Sequence, residues 1–273
     1  MISIESISHE LIEALKRYSA DYIEAHLEES QTSHITYRGK KLDSTGRATS
    51  MGGNVRAMIK GAWGFVSFNN LTELPDKVEL AVKQAEFAGS EESHLAPVEP
   101  VVDTVLTGAD KNPMAIPLAE KKRLLDEYNE IIWRTPKLQT SIIGYGDGYR
   151  KGIFLNSLGS YIEQDRMDIT LRLSAVATEG NEVQQAGLSL GSRLDFKEMQ
   201  SLHHQVEQMA QRSVELLAAP QIKGGEYTVV LDPVLAGVFV HEAFGHLSES
   251  DFVYENDRLR EVMTIGKQFG GKL

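Results

Sequence analysis

The chain has 273 residues, a formal net charge of −11, 41% hydrophobic and 25% charged residues, and no cysteine. Those values fit a globular protein with a sizeable core. They exclude a disulfide framework, a thiolate metal site and a cysteine nucleophile within the chain. An acidic balance without any basic run argues against a surface built for nucleic acid.

The N-terminal stretch MISIESISHELIEALKRYSADYIEAHLEES carries neither a basic nor an apolar signal region. No segment approaches the roughly 18–20 apolar residues of a membrane span, so a cytoplasmic protein is expected. Leu11, Ile12, Leu15 and Tyr18 follow helical spacing and predict a helix over 8–19. The stretches 21–30, 33–42, 54–62 and 63–70 read as strands, and 73–89 returns to a helical period. Within them GAWGFVSF, 61–68, reads as an ordinary buried strand before it reads as the border of a cleft that takes an added strand.

Residues 91–116 are rich in proline and acids with little periodicity, and read as a linker. A second unit repeats the order of the first: a helix over 118–134, strands near 138–146, 151–156, 160–178 and 182–190, and a helix over 195–218. GYGDGYRKG, from Gly144 to Gly152, is followed by strand-like IFLNS and therefore reads as a hairpin turn, not a phosphate loop. Trp63 and Trp133 read as core or interface anchors, and His203 and His204 as decoration of a wet helix face. The expected organisation is α+β with antiparallel sheet: a first unit 1–90, the linker 91–116, a second unit 117–220 and a third region 221–273.

The third region opens with EYTVVL, read as a short strand, and Asp232-Pro233, an N-cap followed by a first helical position. The helix from 233 is apolar almost all round, which predicts burial. It then runs into His241, Glu242 and His246. Zinc hydrolases place two histidines four apart on one helix with a glutamate beside the first. Here the spacing is five, which on a regular helix rotates the second ring about 140° from the first. A local π-type turn would return both rings to one face, and Gly245 would ease such a distortion. The alternative for these histidines is that they are merely satisfied core or surface groups.

HEAFGHLSESDFVYEN, after VVLDPVLAGVFV, resembles the TldD/PmbA family, once described as modulators of DNA gyrase, and in particular its TldD type. SADYIEAHLEES, GGNVRAMIKGAWGFVSFNN and GIFLNSLGSYIEQ are similar to the family's earlier regions, so the resemblance covers nearly the whole chain. It implies a zinc metallopeptidase acting on unfolded peptides, with His241 and His246 as Zn2+ ligands and Glu242 as general base. It also implies a dimer, either of like subunits or with a PmbA (TldE)-type partner. The family's third ligand is a cysteine in a later domain. Its lack here leads to the expectation of a truncated chain, with Glu249 and Asp251 as weaker candidates for the missing ligand. Rival readings are a non-catalytic peptide-binding or assembly subunit, and a self-sufficient hydrolase using Glu249.

Overall fold

The computed structural model describes residues 4–89, 94–108, 112–193 and 195–271. They fall into two compact units, Met1–Ala219 and Pro220–Leu273.

The first unit is built on one sheet. Strands β1 (Tyr22–Arg38), β2 (Lys41–Ile59) and β3 (Ala62–Phe68) are followed by β4 (Val102–Val105), β5 (Leu138–Asn156), β6 (Tyr161–Glu179) and β7 (Glu182–Ser192). The order across the sheet is β3-β2-β1-β5-β6-β4, with β7 also on β6. All pairs are antiparallel except β4 with β6. The α+β class with antiparallel sheet is therefore as the sequence predicts. Tight turns make it so: Lys60 and Gly61 join β2 to β3 with both residues at positive φ, 50° and 81°, which suits the twist of a two-residue hairpin.

The two expected units, 1–90 and 117–220, share this sheet, because β1 pairs with β5 from Glu24↔Asn156 to Arg38↔Ile142. Residues 94–108 of the expected linker supply β4, and 90–93 and 109–111 lie outside the described residues. One face of the sheet carries helices α1 (Ile4–Leu15), α2 (Leu74–Ala88), α3 (Leu118–Trp133) and α4 (His203–Glu215). Two cores result. Leu11, Ile23, Leu27, Val55, Val78 and Ile153 belong to the first, under α1 and α2. Ile35, Leu125, Tyr128, Ile143, Leu171 and Val206 belong to the second, under α3 and α4. The long strands β1 and β5 feed both, through alternate residues of one face.

Three local readings change. The two strands expected at 21–30 and 33–42 are one strand, β1, and β2 begins at Lys41. Its Ser/Thr/Gly-rich first half has little apolar alternation because both of its faces are largely exposed. The hairpin expected at Gly144–Gly152 does not form, and β5 runs straight through. Asp147 faces the helices there, buried and ion-paired, while Gly144, Gly146, Gly148 and Gly152 alternate on the opposite face. The helix expected over 195–218 is a 3-10 turn at Phe196–Met199, then α4, then a 3-10 turn at Leu216–Ala218.

GAWGFVSF forms the edge strand β3, packed under α2. A Cβ placed on Gly64 would come within 1.9 Å of the Ala81 carbonyl oxygen, so glycine is what lets the helix backbone lie on the strand. The Phe65 N–H donates to Gln84 Oε1 at 3.0 Å, which occupies an edge group that an added strand would use. Trp63 and Trp133 are half-buried, each under a cation, Arg56 and Lys40. His203 is exposed and bonds Glu127 at 3.1 Å. No helix among the described residues is long and apolar enough to cross a membrane.

Candidate metal centre

The second unit contains α5 (Pro233–Val240), a π turn (His241–Gly245), a 3-10 turn (His246–Ser248), α6 (Ser250–Glu255) and α7 (Asp257–Val262). Its start follows the sequence closely. Asp232 is extended, its carboxylate accepts the Leu235 N–H at 2.7 Å, and Pro233 takes the first helical position, where no N–H is needed.

Two expectations about this region are not met. EYTVVL forms no strand, since the described residues of its unit offer no neighbouring strand to complete a ladder. Nor is α5 buried: Val234 is 77% and Phe239 63% exposed. A unit this short has no second layer of its own to lay against an all-apolar helix.

The five-residue spacing is accommodated by a π-type turn. The backbone turns from α to π at His241, and the His246 N–H bonds back to the His241 carbonyl, an i→i+5 bond. The widened turn brings the two imidazoles into edge-to-face contact, centroids 4.5 Å apart with planes at 67°. One potential ligand atom from each of His241, Glu242 and His246 lies within 4.8 Å of the others. Gly245 keeps ordinary helical angles, and a Cβ there would sit 3.6 Å from His241 Nδ1, an ordinary contact. Glycine is thus not forced by the backbone, but it leaves the ring unobstructed on that side.

Glu249 plays a different part from the one weighed in the sequence. The chain leaves the helix at Glu249, φ −66° and ψ 138°, and its carboxylate meets His246 Nδ1 at 2.7 Å. A neutral imidazole that donates its Nδ1 proton to this carboxylate keeps the Nε2 lone pair for a cation, the arrangement found around metal-bound histidines. His246 Nε2 lies 3.9 Å from Glu242 Oε2. Asp251 accepts its neighbour Phe252's N–H and stands outside the group. All the carboxylates here are at least partly exposed, so the cluster is open to water.

The donor set fits a divalent metal. Two nitrogens bound to one tetrahedral zinc stand ~3.4 Å apart at Zn–N distances near 2.1 Å, against an upper bound of 4.8 Å between the ligand atoms here. Two neutral imidazoles with an adjacent carboxylate are also the donor chemistry zinc accepts. Catalytic zinc takes three protein ligands and a water, and among the described residues the cluster offers these two histidines and one glutamate.

Residues 24–88 match the family description "PmbA/TldA metallopeptidase domain 1" and residues 111–218 its "central domain". The histidine motif lies beyond both spans. A metalloprotease of Synechocystis sp. is 39% identical over 98% of this chain, and the match spans 59% of that protein. A zinc metalloprotease TldD homolog of Saccharolobus solfataricus is 25% identical over 73% of the chain and 44% of its own length. The crystal structure of a modulator of DNA gyrase from Bacteroides thetaiotaomicron superposes with a TM-score of 0.68 at 14% identity, over 91% of this chain and 58% of that one. That of TldE from Thermococcus kodakarensis gives 0.61 at 15% identity, over 76% and 47%. The matches therefore span 44–59% of the length of these proteins, and the structural likeness concerns the fold alone.

Proposed function

This chain belongs to the PmbA/TldD metallopeptidase family, and on that premise we propose that it carries the zinc-binding turn of a peptidase of the TldD type. The observation that carries this reading is the π turn, which converges His241, Glu242 and His246 on one point of an otherwise apolar helix. His241 and His246 would hold the ion, with Glu249 fixing the tautomer of His246. When bound, zinc would supply a Lewis acid that lowers the pKa of water and polarises a carbonyl. Glu242, one residue from a ligand and exposed, would take the proton from the attacking water and pass it to the leaving amine. Unfolded peptides are the proposed substrates, and the proposed assembly is a dimer of like subunits or a pair with a PmbA (TldE)-type partner.

The test is metal stoichiometry. Chelator-treated chain dialysed against zinc should retain about one ion, and His241→Ala and His246→Ala should each lose it. Equal zinc in parent and variants would end the reading. A second reading, a non-catalytic subunit that binds peptides, draws on the count of two histidines where a catalytic site needs three ligands. It predicts no zinc-dependent peptide hydrolysis by any polypeptide carrying this turn.

A further inference from the structure

The face of the sheet opposite the helices carries a hollow of about 520 Å³. Strand register explains it row by row. One row across the sheet pairs Asn54 with His26 and His26 with Phe154. In the next, Glu28 stands between Gly52 and Gly152, and Gly152 lacks a side chain where the groove is left. A Cβ on Gly152 would meet nothing nearer than 3.8 Å. The row after that sets Arg150 directly opposite Arg166.

That last pairing is unfavourable by itself, because like charges directly across two strands repel. Each guanidinium has an acidic neighbour, Arg150 with Glu28 at 3.3 Å and Arg166 with Asp168 at 3.1 Å, both through Nε. Among the described residues no hydrogen bond from a terminal nitrogen of Arg150 or Arg166 is seen, so those donors can meet a further acceptor. On the other side of the groove, Glu24, only 5% exposed, organises the wall. Its carboxylate takes hydrogen bonds from Tyr22 at 2.7 Å and from Arg56 Nε at 2.7 Å, and meets His26 at 3.3 Å. Arg56 is further held over the Trp63 ring at 4.8 Å, and His26 lies against Phe154 with centroids 4.9 Å apart. A buried carboxylate thus fixes two donors at the rim of a hollow whose far side holds two opposed cations.

We propose that this hollow binds the carboxylate end of a peptide, with the terminal carboxylate between Arg150 and Arg166 and the last side chain against the aromatic walls, Phe154 and Phe65. Arginine pairs suit a planar carboxylate because two N–H groups can meet its two oxygens. The lining holds three arginines and two glutamates, one net positive charge, which matches a single carboxylate and disfavours a polyanion. Asn54 and Gln164 add amide groups that can both donate to and accept from a peptide backbone. The proposal rests on the peptidase reading only for the choice of a peptide as the carrier of the carboxylate.

The experiment measures binding of the tripeptide Ala-Ala-Phe to the metal-free chain, as free acid and as C-terminal amide, by calorimetry. The free acid should bind about tenfold or more tightly than the amide, and less tightly as salt is raised. Arg150→Gln combined with Arg166→Gln should reduce acid binding to the amide's level. Both residues are about half exposed and mutually repelling, so unfolding of the variant should need at least as much denaturant as the parent. Equal binding of acid and amide, or of parent and variant, overturns the proposal, as does displacement of the peptide by inorganic phosphate at equal concentration. Because no metal is present, failure here leaves zinc binding at His241 and His246 untouched, and failure there leaves this site untouched.

Discussion

Two polar clusters in this protein put a carboxylate to opposite ends. At the seam between the two cores of the sheet, Lys121 is fully buried and ion-paired with Asp147, which also accepts hydrogen bonds from Ser33 and Tyr145, while Lys121 donates to Ser33 at 3.1 Å. At the π turn, two imidazoles and a carboxylate converge on a surface open to water. The first cluster is closed on itself: every member has a partner, and Ser33 and Asp147 are direct cross-strand neighbours, so the bond network holds β1, β5 and α3 in one register. In the second, no lysine or arginine among the described residues is ion-paired with the converging groups. Satisfied polar groups within a core hold structure; convergent acceptors left open are a place for a cation.

That contrast yields measurable differences. The largest belongs to the open cluster. In zinc-loaded, peptide-hydrolysing protein, Glu242→Gln should slow turnover about 10²–10⁴-fold while bound zinc and the urea midpoint stay unchanged. A parallel loss of metal would mean that Glu242 is a ligand and not a base. The closed cluster should give the reverse pattern. Lys121→Ala leaves Asp147 buried without its cation and should destabilise the first unit by about 3–5 kcal/mol in urea unfolding, with zinc stoichiometry unaffected. A cost below ~1 kcal/mol would show that water replaces the lysine and that the seam is not closed. A smaller effect tests the link between ligand and support. Glu249→Ala should weaken zinc binding about 10–100-fold without abolishing it, because His246 loses its orienting acceptor but keeps Nε2.

Much of this was readable in the chain. Apolar periodicity gives α2 and α3 within a residue or two, and β6 and β7 follow from alternation ended by turn residues. Asp232-Pro233 announces the start of α5, and a π turn, the distortion by which residues five apart could share one face, is found at His241 and His246. What failed to show had tertiary causes. Gly144 to Gly152 looks like a turn because glycine and aspartate dominate it, yet Asp147 belongs inside β5 only because Lys121 arrives from a helix to neutralise it. The run from Lys41 to Ser50 hides its strand character because both of its faces are largely exposed. Apolarity at α5 predicts burial, but burial needs a second surface, and a composition rule contains no information about one. The opposed arginines are invisible for the same reason: they are sixteen positions apart and meet only through register.

Between the closed and the open cluster stands a third, Tyr22–Glu24–Arg56, buried at its centre and open at its rim, and it sharpens the comparison through pH. Burial, and then the hydrogen bond given to Glu24, push the Tyr22 hydroxyl up from 10.0 to about 12. Below pH 10 the tyrosine is protonated in both folded and unfolded chains and contributes no pH dependence. Between pH 10 and about 12 the unfolded chain releases its proton first, so the native state binds more protons and stability falls as pH rises, by at most about 1.4 kcal/mol per pH unit. Lys121 acts with the opposite sign, since burial lowers its pKa and stability from this group rises with pH through the window that ends at 10.5. Urea unfolding across pH 10–12 should therefore show a flatter alkaline decline for Tyr22→Phe than for the parent. At pH 7 the variant should cost about 0.5–1.5 kcal/mol, because Glu24 keeps Arg56 but loses one donor. Curves that run parallel across that window would place the hydroxyl in water, and with it the carboxylate that organises the rim.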